Sequence, residues 1–320
     1  MLMELLIHNG SKAYIPIVQD GIEWTTDRYG TPGKLTFKVY QDGLLKVTEG
    51  NAVRLKKGNA NIFYGYIFSI KRDKESLLTI TAYDQLRYFK NKATYVYENK
   101  TASEVIKMIA SDFGLTTGTI EDTGYRIPSK IEDAKTLFDI AQGALDDTLM
   151  NQSYMYVLYD DFGKLTLKGL DNMRVNIVID ASTGANYDYE SSIDDNTYNQ
   201  IKLYYDNEET GQRDIYIAKD SSTINQWGIL QYYESIQEGE DGKTKADVLL
   251  KLYNTKTRKL SVKNAIGDVR VRAGSMVVVM LDLGDIMLKN LMLVESCKHT
   301  FSDNEHWMDL TFRGGGEFVA

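Results

Sequence analysis

Residues Leu35-Thr36-Phe37-Lys38-Val39-Tyr40 alternate between apolar and polar side chains and are followed by the turn Asp42-Gly43. Successive side chains of a strand point to opposite faces, so this stretch predicts a strand with one buried face. Further short strand-like stretches surround it, separated by Gly, Asp and Asn turns, at residues 3–8, 13–18, 22–25, 52–56, 61–70 and 77–83. This spacing predicts a β-barrel-like domain over residues 1–90.

The hydrophobic period changes near residue 100. Thr101 followed by Glu104 has the spacing of a capping box, and Gly114 has the position of a C′ glycine. Between them, apolar residues recur at helical spacing at positions 105, 106, 109, 110 and 113. These signals predict a helix that ends just before Gly114.

A second helix is predicted from about Asp133 to Leu149, and a hairpin follows at residues 154–168 around the turn Asp160-Asp161-Phe162-Gly163. Two helices and a hairpin indicate a small α/β domain over residues 91–175. Strand signals return from residue 176, interrupted by a third helix predicted over Thr244–Tyr253. We therefore predict a second β-barrel-like domain over residues 176–320, with a helical insertion near 219–256. The predicted fold class is α+β, mainly β.

Composition excludes several kinds of protein. The formal charge of −8 makes nucleic acid an unlikely main partner, because phosphate binding needs clustered Lys and Arg. The single cysteine, Cys297, forms no internal disulfide, which suits a reducing compartment. The first residues predict a strand rather than a signal peptide, and no apolar stretch is long enough to span a bilayer. We expect a protein made in a cytoplasm, without membrane or specific nucleic-acid binding.

No catalytic constellation is marked in the sequence. The acidic pairs Glu121-Asp122 and Asp194-Asp195 lie among turn residues, where carboxylates cap backbone N–H groups. There is no G-x-S-x-G elbow and no P-loop. We expect a protein that is not an enzyme and carries no cofactor.

The cluster with the most chemical potential is Cys297, His299 and His306. On a strand, Cys297 and His299 face the same side, and with His306 they could offer three ligands to zinc. A fourth ligand is not apparent. The alternative is a β-hairpin with its turn at residues 302–305 and the two histidines near its ends.

An aromatic and arginine group surrounds the turn that contains Pro32-Gly33. Trp24, Arg28 and Tyr29 are residue types that dominate protein interfaces. They are candidates for a contact with another subunit. The alternative is that Trp24 packs inside its own barrel and Arg28 is solvated.

Several segments along the chain resemble the XkdQ/YqbQ family of PBSX-like prophage tail proteins. They occur in order and span nearly the whole sequence: residues 24–28, 32–37, 62–68, 82–88, 135–140, 156–160, 198–203, 271–275, 299–301 and 306–310. The resemblance implies a baseplate hub of a contractile phage tail or a phage-tail-like bacteriocin. It brings no catalytic residue with it.

Hubs of this kind are homotrimers whose two β-barrel-like domains per subunit give a pseudo-sixfold ring. The resemblance therefore implies that the chain joins a sixfold tail tube to a trimeric central spike and contacts other baseplate proteins. It also implies assembly in the bacterial cytoplasm, followed by residence in the tail of the particle. Two alternatives stay open, a tail-associated cell-wall hydrolase and a carbohydrate-binding module.

Overall fold

The alternation at residues 35–40 forms a strand inside a large sheet. In the computed structural model Leu35, Phe37 and Val39 are buried, while the side chains between them are half-buried or exposed. The structure describes residues 3–41, 43–74, 77–194, 196–207, 211–236, 240–284, 286–302 and 305–313, with the side chains at positions 20 and 185 left aside. The predicted strand with one buried face is confirmed.

The elements follow one another in three stretches. The first is made of strands only: β1 Met3–Asn9, β2 Lys12–Tyr14, β3 Val18–Asp27, β4 Lys34–Tyr40, β5 Ala52–Lys57, β6 Ala60–Arg72 and β7 Leu77–Tyr83. The second is mixed: a 3₁₀ helix Gln85–Lys90, β8 Lys92–Thr101, α1 Ala102–Asp112, β9 Thr117–Ile120, β10 Arg126–Thr136, α2 Leu137–Gln152, β11 Tyr156–Asp160, β12 Leu165–Gly169 and a 3₁₀ helix Leu170–Met173.

The third stretch is again mainly strands, with two helices in the predicted region of residues 219–256. Its elements are β13 Arg174–Asp180, β14 Gly184–Ser192, β15 Gln200–Asn207, β16 Gln212–Lys219, α3 Ser221–Trp227, β17 Gln231–Ser235, α4 Gly242–Tyr253, β18 Thr257–Ile266, β19 Met276–Asp282, β20 Met287–Ser302 and β21 Glu305–Phe312. Strands account for 55% of the chain and helices for 19%, so the predicted mainly β, α+β class is confirmed.

Contacts divide the chain into two compact units, one formed by Met1–Tyr187 and Val262–Phe312 and a smaller one built around Asp188–Ser261. The main sheet runs β14-β18-β21-β20-β3-β4-β7-β6-β5-β1-β2, and β19 pairs with both β13 and β20. Its two end strands, β14 and β2, are not paired with each other among the described residues. The predicted domain boundaries near residues 90 and 175 stay predictions.

The larger unit has two main hydrophobic cores. One lies under the strands of the main sheet and includes Phe37, Leu55 and Ile80. The other lies between α1, α2, the β8–β10 pair and the β11-β12-β9 sheet, and it includes Ile106 and Ile140. This second core packs α1 and α2 against the strands around them, which we call the α/β module. No helix in the described ranges is both long enough and apolar enough to cross a membrane.

Helix α1 begins as the sequence predicts. The Thr101 hydroxyl accepts a hydrogen bond from the Glu104 N–H at 3.2 Å, and the Glu104 carboxylate accepts one from the Thr101 N–H at 2.9 Å. Gly114, two residues after the helix, has a φ of 62°, which glycine adopts without the steric penalty of a side chain. Both the capping box and the C′ glycine are confirmed.

The predicted start of the second helix at Asp133 is wrong. Residues 133–136 belong to β10, which pairs with β8 through a bulge between Glu132 and Lys135, and Ala134 has a φ of 51°. Helix α2 begins only at Leu137, where Thr136 accepts a hydrogen bond from the Asp139 N–H. Pairing with a neighbouring strand therefore overrides the local helical pattern. The third predicted helix is confirmed as α4, which starts two residues earlier than expected.

We predict that Thr101→Ala destabilises the protein by about 1 kcal/mol, because it removes the acceptor for the Glu104 N–H at the start of α1. Urea denaturation of the purified chain measures the change in the free energy of unfolding. Thr117→Ala, at an exposed position of β9, is the matched control and should change stability by less than about 0.5 kcal/mol. Equal effects of the two substitutions would show that the cap contributes nothing.

Candidate functional site

The predicted cluster of Cys297, His299 and His306 exists. Cys297 and His299 are two residues apart on β20 and both are fully buried on the same side of the strand. His306 lies on the paired strand β21 opposite Phe301. The His299 Nε2 lies 3.1 Å from the Cys297 Sγ, and the His299 Nδ1 lies 2.8 Å from the His306 Nε2. The hairpin interpretation is confirmed, although residues 303 and 304 of its turn lie outside the described residues.

Hydrogen bonds account for the ring nitrogens of both histidines. His299 Nε2 is 2.9 Å from the Val271 carbonyl oxygen, which only accepts, so Nε2 donates. A neutral His299 then accepts at Nδ1 from His306 Nε2–H. His306 in turn accepts at Nδ1 from the Lys57 ammonium, 3.2 Å away. This neutral arrangement links β5, β20, β21 and the loop at Val271.

These contacts leave the cluster poorly suited to a metal. His299 Nε2 is directed at a carbonyl oxygen, and burial raises the pKa of the Cys297 thiol, so the thiolate that metals bind is disfavoured. Within the described ranges there is no group of three or more His, Cys, Asp or Glu side chains that could hold a metal ion. The geometry favours a structural role for the three residues.

The two histidines make the folded protein sensitive to acid. Burial, and then the neighbouring His306, lower the pKa of His299 to about 3, while burial and then Lys57 lower the pKa of His306 to about 4. A lowered pKa means that protons bind the unfolded chain more readily. The stability that comes from keeping the two histidines neutral is therefore fully present above pH 6.5. It is lost as the pH falls toward 4.

We predict that, for each histidine, the free energy of unfolding falls by about 1 kcal/mol between pH 6.5 and 5.5. His306→Gln keeps one donor and one acceptor but does not titrate, so its stability should fall less over the same interval. Denaturation curves at half-unit steps of pH give the free energy of unfolding of the wild type and of His306→Gln. The other titrating groups are the same in both proteins, so their contribution cancels in the difference. Parallel curves for the two proteins would contradict the prediction.

The three candidate interface residues have different environments. Trp24 is buried, lies opposite His299 in the β3–β20 register, and stacks on its ring with centroids 4.8 Å apart. The Arg28 guanidinium is largely buried and pairs with Glu295 at 2.7 Å. Tyr29 is exposed, with the Arg28 guanidinium 5.0 Å from its ring centroid. Tyr29 therefore offers the most surface to another chain, and Trp24 offers almost none. The subunit contact itself stays a prediction.

A second buried polar group was not predicted from sequence. It comprises Asp84, Gln85, Asp160 and Arg272, which we call the polar junction. The Asp84 carboxylate accepts hydrogen bonds from the N–H groups of Gly33 at 2.9 Å and Leu86 at 3.0 Å. An added Cβ at Gly33 would lie 2.3 Å from the Asp84 Oδ2, so this close approach requires glycine.

The rest of the polar junction joins the α/β module to the main sheet. Gln85 donates to the Asp160 carboxylate at 3.3 Å and accepts from the Thr116 N–H. Arg272 donates to the Asp160 carbonyl oxygen at 2.9 Å, and its guanidinium lies 4.1 Å from the Tyr159 ring centroid. Segments that are distant in sequence thus meet in one buried place.

Burial raises the pKa of both carboxyl groups of the polar junction. For Asp84 the next largest cause is repulsion from Asp160, and Arg272 opposes the increase. For Asp160, the hydrogen bond from the Gly163 N–H and the charge of Arg272 oppose the increase in pKa. The carboxylates hold backbone N–H groups rather than facing a cleft, which indicates a structural function. The only sequence signal was the position of Asp84 between a strand and a short helix, where Asp caps backbone N–H groups.

Comparison with known proteins identifies the family. Residues 22–313 match the model of the family described as YQBQ-like. The protein YqbQ of Bacillus subtilis (strain 168) is 30% identical over 309 residues, which cover 93% of this chain and 92% of YqbQ. The chain belongs to the YQBQ-like family. The phage-like element PBSX protein XkdQ of the same organism is 30% identical over 323 residues, or 97% of this chain and 96% of XkdQ.

Solved structures show the same fold as this YQBQ-like chain. The 43 kDa tail protein of prophage MuSo2 from Shewanella oneidensis superposes with a TM-score of 0.70 at 13% identity, over 97% of this chain and 98% of that one. The E. coli c3393 protein superposes with a TM-score of 0.55 at 8% identity, over 99% of this chain and 78% of c3393. The predicted resemblance is confirmed. Together with the match to XkdQ, these findings support a structural role in a phage tail.

Proposed function

We propose that this chain is a non-enzymatic hub subunit in the baseplate of a contractile phage-type tail. As a homotrimer it would join the sixfold tail tube to the trimeric central spike and contact other baseplate proteins. The observation that carries this proposal is the match to the PBSX protein XkdQ over 97% of the chain. The fold supports it, because c3393 is described as a component of the type VI secretion system with structural similarity to the bacteriophage T4 tail proteins gp27 and gp5.

The chemistry of the described residues is consistent with a protein that works by its shape. The buried thiol and both histidines of β20 and β21 are engaged in internal hydrogen bonds. The buried carboxylates of the polar junction hold backbone N–H groups. These hydrogen bonds tie strands and loops of the chain together.

The proposed trimer sets requirements for the surface. A closed ring of three identical chains needs one patch of each chain to bind a different patch of the next, with a rotation that closes at three. A particle that contracts needs obligate interfaces of about 2,000 Å² or more. We propose that the chain is made in the bacterial cytoplasm and is then built into the tail of the particle.

The experiment is co-expression of this chain with the tube and spike proteins of the same particle. Light scattering gives the mass of each purified complex, and class averages in negative stain show its symmetry. The proposal predicts a ring of three copies, alone or bound to tube or spike. A monomer that binds neither protein would contradict it. A cell-wall degradation assay on the same material tests the hydrolase alternative.

A further inference from the structure

A groove lies in the larger unit between the end of β3, helix α2 and strand β11. Its apolar wall is formed by side chains of α2 and β11, namely Phe138, Ala141, Leu145, Tyr156 and Leu158. Three of them, Phe138, Tyr156 and Leu158, pack on the core of the α/β module but are only half-buried. The volume of the groove is about 390 Å³, which includes its mouth open to solvent. We call it the α2 groove.

The two charged side chains that line the α2 groove already have partners. Asp27 accepts a hydrogen bond from the Thr31 hydroxyl at 2.9 Å, and the Arg28 guanidinium pairs with Glu295 at 2.7 Å. The surface that remains for an occupant is mainly apolar. A nonpolar peptide segment therefore suits the α2 groove better than an ion or a charged ligand does, because it leaves no new charge to be desolvated.

The chain itself carries a nonpolar segment of this kind after β21. Phe318 and Val319 follow Gly314-Gly315-Gly316 and Glu317, and all of these residues lie outside the described part of the chain. Glycine has access to both signs of φ, so three glycines in succession permit a sharp change of chain direction. The sequence thus places two adjacent apolar side chains after a stretch in which the backbone can turn.

Strand β21 ends close to the α2 groove. Ser296 of β20 lies opposite Thr311 of β21 on one side and opposite Asp27 of β3 on the other. Neighbouring strands are about 4.8 Å apart, so Thr311 and Asp27 are separated by about 10 Å. Strands β21 and β3 are both antiparallel to β20 and therefore run in the same direction. The chain after β21 leaves the sheet at the end where β3 leads into the groove.

The segment after β21 is long enough to reach the α2 groove. Phe318 follows Thr311 by seven positions. An extended chain spans about 3.3 Å per residue, so these positions cover up to about 23 Å. That length is more than twice the separation between Thr311 and Asp27, which lines the groove. The surplus allows the chain to turn at the glycines and to run along the groove.

We propose that Phe318 and Val319 of this chain occupy the α2 groove of the same chain. The contact covers the half-buried side chains of Phe138, Tyr156 and Leu158, and removal of this apolar surface from water drives it. The short connection helps, because a tethered segment has an effective concentration in the millimolar range before any contact forms. The contact lies within one chain, so it goes beyond the proposed hub and does not depend on assembly.

A pair of introduced cysteines tests the contact. Gln142→Cys places a thiol on the α2 side of the groove, and Ala320→Cys places one next to Phe318 and Val319. The natural Cys297 is fully buried and does not compete. In glutathione buffers, the ratio of disulfide to dithiol gives the effective concentration of one thiol at the other. We expect a value at least about 10-fold above the millimolar range of an undocked segment.

Phe318→Asp in the same double-cysteine chain is the decisive variant, because it keeps the length of the connection and removes the apolar ring. The effective concentration should fall by about 10-fold or more, as it does when an anchoring aromatic side chain is lost. Glu317→Gln is the matched control at the neighbouring position. It should change the effective concentration by less than about threefold, because exposed charges contribute little to such contacts.

Mass spectrometry of the digested, unreduced protein identifies the linked peptides, and the mass of the intact protein separates monomers from dimers. Circular dichroism checks that each variant folds as the wild type does. An effective concentration that Phe318→Asp leaves unchanged, or a disulfide that does not form, would overturn the inference. A disulfide that joins two chains would also overturn it, because the segment would then occupy the α2 groove of another copy.

Discussion

Replacing Arg272 with alanine should destabilise the protein by about 3 kcal/mol at pH 7, because it removes the one cation of the polar junction. The side chain donates to the Asp160 carbonyl oxygen and lies over the Tyr159 ring. Its charge also lowers the pKa of Asp84 and Asp160. Without it, the cation that opposes the raised pKa of both buried carboxyl groups is lost. Urea denaturation measures the loss of the free energy of unfolding.

The pH dependence of the Arg272→Ala effect provides a second measurement. Asp84 and Asp160 have a raised pKa in the folded protein, so they favour folding below pH 3.8 and oppose it as the pH rises. Removal of the Arg272 guanidinium raises the pKa of Asp84 and of Asp160 further. The difference in stability between wild type and variant should therefore grow between pH 4 and pH 8. A difference that is constant with pH would contradict the electrostatic explanation.

A control lies two residues away. Arg270 pairs with the carboxylate of Asp268, and its side chain is 61% exposed. Exposed ion pairs contribute about 0 to 1 kcal/mol, because water screens them. Arg270→Ala should therefore cost much less than Arg272→Ala. Similar losses for the two variants would mean that burial of the junction does not matter.

Local sequence patterns were sufficient to predict those helices and strands whose capping or alternation signals lie within a few residues. The capping box of α1 and the alternation of β4 depend on side chains within one helical turn or one strand. The start of α2 could not be predicted in the same way. Residues 133–136 are held in β10 by hydrogen bonds to β8, about 40 positions earlier in the chain.

Long-range pairing also determines the site. Strand β20 lies between β3 and β21, so His299 meets Trp24 across 275 positions of sequence. The pairing of Cys297 with His299 could be predicted from the period of a strand. The polar junction could not, because Asp84, Asp160 and Arg272 are each unremarkable in their local sequence and acquire their role only when three segments meet.

Trp24→Ala is the other substitution with a large expected effect, about 3 to 5 kcal/mol, because it leaves a cavity the size of an indole in the core. Trp24 packs against the ring of His299 on one side, and the Arg272 guanidinium lies 5.8 Å from its centroid. Trp24→Phe keeps an aromatic ring at this position and should cost less than half as much. Thermal and urea denaturation of the isolated chain measure both.

A comparison with Tyr29→Ala separates a core residue from a candidate subunit contact. Tyr29 is 58% exposed, so its removal should change the stability of the isolated chain by less than about 0.5 kcal/mol. Trp24→Ala should lower assembly only in proportion to the fraction of unfolded chain. Tyr29→Ala should weaken assembly with tube, spike or further copies at unchanged stability. If Trp24→Ala leaves stability within about 1 kcal/mol of the wild type, the indole is not a core element, and its interface role gains support over its packing role.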